Sequence, residues 1–171
     1  MSLDWTTVRA GDPIGPAVIG HRVWRYRIGP PLALLSFCLG SSDQWLPNEP
    51  YEASRIPDLN DEGVVPGVYA FRTLADLRRY FTDLPDTLRY RTDEIYTGGR
   101  SNPAWYDGVV RGTVALWGVC IEHRLGYRAQ FAKPLSFDEI YGDDVVNVLT
   151  RLERLFLGRQ GRHGDRRQCA K

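Results

Sequence analysis

Lysine is nearly absent from this chain. Of its 22 basic residues only Lys133 and Lys171 are lysine, and all the others are arginine. That excess has two readings: selective use of planar guanidinium forks for anionic or stacked ligands, or the coding bias of a GC-rich genome. No charge sign dominates, since 22 Lys and Arg stand against 21 Asp and Glu, so overall composition does not point to a nucleic-acid or membrane surface. No apolar run reaches the roughly 18 residues of a membrane span. The opening Met-Ser-Leu-Asp-Trp has neither a basic nor an apolar stretch, so no signal peptide is expected. Cysteine is scarce and odd in number: Cys38, Cys120 and Cys169 lie far apart, which argues against a disulfide framework and fits reduced thiols in a cytoplasmic protein. The three histidines, His21, His123 and His163, are scattered, with no Cys-x-x-Cys and no His-Glu-x-x-His. Neither a metal site nor a cofactor is therefore expected. No Gly-x-Ser-x-Gly elbow is present, so acyl transfer has no positive signal.

What is present suits a single globular domain: 171 residues, 43% hydrophobic and 25% charged, enough for one core and too few for two comfortable ones. Charge is uneven along the chain. Residues 159–171 hold Arg159, Arg162, Arg166, Arg167 and Lys171 against Asp165, a net of +4, so that the overall +1 leaves about −3 for residues 1–158. Residues 1–17, rich in Gly and Pro, read as an irregular arm. Residues 18–158 read as one α+β domain, and 159–171 as a basic tail that is disordered unless a partner orders it.

Within the domain, 18–28 alternates, with Val23 and Arg25 against Trp24, Tyr26 and Ile28, as a half-buried strand does. Residues 32–39 form a short apolar strand candidate. Residues 40–66, with Pro47, Pro50, Pro57 and Pro66, read as a long loop of the functional or mobile kind. A buried strand over 67–71 runs into a helix capped by Thr73 and Asp76, with Leu74, Leu77, Phe81 and Leu84 on one face. Ser136 and Glu139 suggest a further capping box. Val145, Val148, Leu149, Leu152, Leu155 and Phe156 define an amphipathic helix closed by Gly158, with Arg151, Glu153 and Arg154 on its polar face.

The densest stretch is 109–134. It reads as two strands, 109–122 and 127–132, around a turn at 123–126. The first strand is apolar on both sides and is expected to be covered on both, with Trp117 and Val119 in the core. A three-residue loop would pair Glu122 with Arg128, whereas a four-residue loop would pair it with Tyr127. A Glu122–Arg128 pair reads either as a structural cross-strand ion pair or, with His123, as a polar ligand contact at a rim. Tryptophans in loops are the better ligand candidates, which singles out Trp45 and Trp105, although either could plug one end of a barrel. Gly98, Gly99 and Arg100 lie in a polar loop that could wrap a ligand, but no helix pattern follows to make it a phosphate cradle.

Gly67, Tyr69 and Ala70, then Gly112, Val114, Leu116, Trp117, Gly118, Glu122 and His123, then Gly126, Tyr127, Arg128 and Ala129, carry a resemblance. Together they resemble a group of uncharacterised bacterial proteins with the pattern Gly-x-Tyr-Ala, Gly-x-Val-x-Leu-Trp-Gly-x-x-x-Glu-His and Gly-Tyr-Arg-Ala. The order of elements is also similar to the PUA-like superfamily, particularly its ASCH and EVE branches. That likeness implies a small mixed or antiparallel β-barrel with one short helix and one C-terminal amphipathic helix. It also implies a cleft for a flipped or modified base or for single-stranded nucleic acid.

The expected function is therefore a binding module that takes a nucleotide, a modified base or a single strand in an aromatic-lined cleft. Its expected ligand-binding residues are Trp45, Tyr69, Arg100, Trp105, Trp117, Glu122, His123, Tyr127 and Arg128. The alternatives are an accessory protein that docks a partner through 40–66 and the C-terminal helix, and a small hydrolase with Glu122 and His123 as acid and base.

Overall fold

A computed structural model describes residues 17–36, 44–59, 67–81 and 107–158. Arg100, Trp105, Cys38, Cys169, His163, Leu84, the arm and the tail lie outside the described residues. The described part is mixed α+β: eight strands, antiparallel in every pairing, and two helices. No helix among the described residues is long and apolar enough to cross a membrane.

In chain order the elements are β1 (Val18–Arg27), β2 (Ala33–Ser36), β3 (Gln44–Trp45), β4 (Tyr51–Glu52), β5 (Val68–Phe71), α1 (Leu74–Tyr80), β6 (Gly108–Glu122), β7 (Gly126–Pro134), β8 (Glu139–Gly142) and α2 (Val145–Leu157). The stretch 40–66 is thus more than a loop, since β3 extends β2 and β4 adds to β7. Four strands pair in a circuit. β1 lies along β6 from Val18↔Leu116 to Tyr26↔Gly108, β6 pairs β7, β7 pairs β5, and β5 returns to β1 through His21↔Phe71.

The two-residue period of a strand sends alternate side chains to opposite faces, and here each face has its own cluster. The inner one gathers Trp24, Tyr26, Val110, Val114, Leu116, Cys120, Ala129 and Ala132, with α2 closing over it through Val148, Leu152 and Phe156. A smaller outer one joins Val23 and Val109 to Leu77 of α1. Strand β1 is therefore buried on both faces from Arg22 to Tyr26, more than the half-burial its alternation suggests. Strand β6 is buried on both faces over Gly108–Gly112 and again at Cys120 and Ile121. Between them Val114, Leu116 and Gly118 are buried and Thr113, Ala115, Trp117 and Val119 are half-buried, and Glu122 at the end is exposed. Trp117 and Val119 thus sit on the outer face, not in the core, and Trp117 stacks on its cross-strand partner Phe131.

The expected cap at Thr73 is present: Thr73 Oγ1 accepts from Asp76 N at 3.0 Å. The expected cap at Ser136 is not. Glu139–Gly142 is strand β8 against Gly108–Arg111, and Ser136 Oγ accepts from Thr113 N at 3.1 Å instead. A Ser-x-x-Glu pattern is a local signal, and here a tertiary partner for the Ser side chain overrides it. In α2, Glu153 is buried rather than part of a polar outer face.

Candidate functional site

The hairpin between β6 and β7 turns on Arg124 and Leu125. His123 and Gly126 exchange both main-chain hydrogen bonds, at 2.7 and 3.3 Å, and this closure sets Glu122↔Tyr127 and Ile121↔Arg128. Glu122 therefore faces Tyr127, and the Glu122–Arg128 pairing does not form. The turn is pressed onto the end of β5, where Phe71 pairs with Gly126 and Arg72 N donates to Leu125 O at 2.9 Å. A Cβ on Gly126 would lie well inside van der Waals contact distance of the Ala70 carbonyl oxygen, so this approach requires glycine. Further along, residues 118 and 119 face the single residue Gln130 in a bulge, with Gly118 at φ +77, a conformation that suits glycine.

Alternation then divides the expected cluster between two faces. On the inner side of the rim, Glu122 forms an ion pair with Arg72 at 2.6 Å, and the Arg72 guanidinium stands 5.8 Å from the centre of the Tyr127 ring. On the outer side, Tyr69 pairs across the strands with Arg128, and Arg128 Nε donates to His123 Nε2 at 2.9 Å. Arg128 is almost wholly buried (2% exposed), while Tyr69 retains 37% of its surface. A second Arg128 bond, Nη2 to the Asp58 carbonyl at 2.9 Å, ties down the segment that runs from Ala53 to Asp58 along β7. Ala53 N donates to Gln130 O at 2.8 Å at the other end of that segment, and Pro57 is buried above Gly67.

Arginine can only donate, so His123 Nε2 must be the acceptor and the ring proton of the neutral imidazole lies on Nδ1. Burial, then the neighbouring Arg128 charge, holds the His123 pKa below its usual 6.5. Glu122 and His123, in contrast, make separate contacts on opposite faces.

The tryptophans are placed differently. Trp45 is in β3 and buried, edge-on to Trp24 at 5.6 Å and stacked on Tyr51 at 4.7 Å. Of the two roles open to it, plugging the core is the one the structure assigns. Its Nε1 donates to Ser36 Oγ at 2.9 Å, and Arg22 crosses its ring while also bonding the Tyr69 carbonyl. Arg22 is thus an internal brace between β1, β3 and β5. Trp117, on β6, is apart from the Tyr69–Arg128–His123 group. Sequence reasoning missed Arg72, Arg22, Ser36 and the Asp58 carbonyl. Arg72, Arg22 and Asp58 reach their partners across about fifty residues or more of chain, and none of the four lies in a local pattern that could have flagged it.

Cys120 lies on the inner face, and burial followed by the Glu122 charge pushes its thiol up to about 11. Among the described residues no group of three or more His, Cys, Asp or Glu could hold a metal ion. Comparison of the chain with protein-family models, with curated proteins and with solved structures gave no match.

Proposed function

We propose that the protein is a binding module for a nucleotide, a modified base or single-stranded nucleic acid, with the outer face around Tyr69 as its recognition surface. The observation that carries this reading is the exposed Tyr69 ring in mid-strand, directly across from the fixed Arg128–His123 pair. Base readers need a π-surface and a few edge-specific hydrogen bonds. Tyr69 supplies the first, and His123 Nδ1–H is of the type that supplies the second. The separation of Glu122 from His123 favours binding over turnover. The basic segment 159–171, net +4 against about −3 for the remainder, can supply the phosphate neutralisation that such affinity depends on.

The test is binding of the full chain to a fluorescent single-stranded oligonucleotide and to a panel of modified nucleosides, at several salt concentrations. Tyr69→Thr keeps a strand-forming residue and removes the ring. It is expected to weaken binding about ten-fold or more, as loss of one stacking contact does. Equal affinity of wild type and Tyr69→Thr, or no binding to any member of the panel, overturns the reading.

A further inference from the structure

We infer that His123 is a protonation-controlled clamp on Arg128: on acidification it releases the guanidinium Nε that it holds at neutral pH, on the face proposed above for ligand recognition. The ligand clause rests on the binding reading above; the clamp itself does not.

The argument is one of donors and acceptors. At neutral pH His123 Nε2 offers a lone pair and Arg128 Nε–H fills it at 2.9 Å. Protonated imidazole has donors on both nitrogens and no acceptor, and arginine cannot give up its proton. Two N–H groups and two positive charges would then face each other across that distance, so the bond breaks. His123 is at the surface, so solvent protons reach it, whereas Arg128 is buried and held by this bond and by the Asp58 carbonyl.

Of the charged groups around His123, Arg128 is the one that, after burial, holds its pKa down. Arg128 faces it from β7, Arg124 adjoins it in the turn, and Arg72 donates to its carbonyl at 2.8 Å from the end of β5. Glu122 lies on the other face and is occupied by Arg72. The 53–59 segment carries two charged side chains, Arg55 and Asp58, and the Asp58 main-chain carbonyl accepts from Arg128. The folded-state pKa lies below 6.5, so the clamp's stability is present above that value and is lost as pH falls through the folded pKa.

The test is NMR of the full-length protein without ligand, following the Arg128 Nε–H signal and the His123 ring from about pH 7.5 to 4.5, the span in which histidine titrates. The Arg128 signal is expected to change with the same midpoint as the His123 ring, below the ordinary histidine value. The closed population should fall about ten-fold per pH unit beyond that midpoint. His123→Gln supplies a neutral acceptor that does not titrate, and its Arg128 signal should stay constant. A constant Arg128 signal while wild-type His123 titrates, or the same pH dependence in His123→Gln, overturns the clamp. If the variant does not fold, the two wild-type midpoints decide: coincidence supports the clamp and separation refutes it. Because no ligand is present, failure of oligonucleotide binding and failure of the clamp are read independently.

Discussion

The Arg22 guanidinium lies 5.3 Å from the centre of the Trp45 ring, with both side chains buried. Ser36 Oγ accepts from both, from Trp45 Nε1 at 2.9 Å and from Arg22 Nη2 at 3.3 Å. This places the two most conspicuous features of the composition, tryptophan and arginine, inside the protein as mutual partners at this point.

Trp45 and Tyr69 should consequently separate stability from binding. Trp45→Ala removes a core ring and is expected to cost about 3–5 kcal/mol, the usual range for a buried aromatic. Tyr69→Thr, on an exposed ring, should change stability by no more than about 0.5 kcal/mol while reducing ligand affinity. Urea denaturation of both variants checks this, and a large stability loss in Tyr69→Thr would reassign Tyr69 to the fold.

Glu139 is the counter-charge for a buried arginine. It accepts from Arg111, from Arg78 Nη2 at 3.1 Å and from the Tyr141 hydroxyl at 2.9 Å. Glu139→Ala leaves Arg111, which is only 4% exposed, without this carboxylate. Because Glu139 is itself part-exposed, the expected cost is about 2 kcal/mol, below the range of a fully buried pair. Arg78→Ala touches only the exposed side of the same group and should cost less than about 1 kcal/mol. Melting temperatures of the two variants should therefore differ clearly, and equal shifts would show that the burial of Arg111 does not govern the pair.

Gly126→Ala should be among the costly small substitutions. The added methyl meets the main-chain carbonyl of Ala70, which cannot swing away as a side-chain tip could. Separation of the turn from β5 would also stretch the bond from Arg72 N to Leu125 O. A loss of about 2 kcal/mol or more is expected, at the upper side of overpacking effects. Leu125→Ala, at the exposed tip, should stay within about 0.5 kcal/mol. Denaturant midpoints compare them directly.

Cys120 should be inert in the folded protein. With its thiol pushed up to about 11 by burial and by Glu122, only about one molecule in a thousand carries the reactive thiolate at pH 8. In a Cys38→Ser, Cys169→Ser background, a thiol reagent should react slowly in buffer and fast in urea. Rapid native labelling would show that the inner face opens at Cys120.

Periodicity carried much of the fold. The alternation around Trp24 and Tyr26, the Thr73 cap and the 3.6-residue repeat of α2 are local patterns, and each corresponds to an element close to its expected bounds. Where the local pattern was ambiguous, it misled. The apolar run of β6 looks like a strand covered on both faces, yet over 113–119 its outer face is only half-buried, and Trp117 is there. Ser136 and Glu139 have helix-start spacing, but Thr113 and Arg111 draw them into strand contacts.

By itself the sequence determined the α+β class, the central hairpin and α2, because each follows from residue period and turn chemistry over a few neighbouring positions. It also brought Tyr69, His123, Tyr127 and Arg128 forward as candidates, through a motif rather than a mechanism. Only the tertiary structure decided how they divide. The hairpin register, set by the His123–Gly126 closure, sends Glu122 to Arg72 on one face and leaves His123 with Arg128 and Tyr69 on the other. A one-residue change of register would exchange those faces, and the packing of the turn against β5, which selects the register, is a contact between segments far apart in the chain.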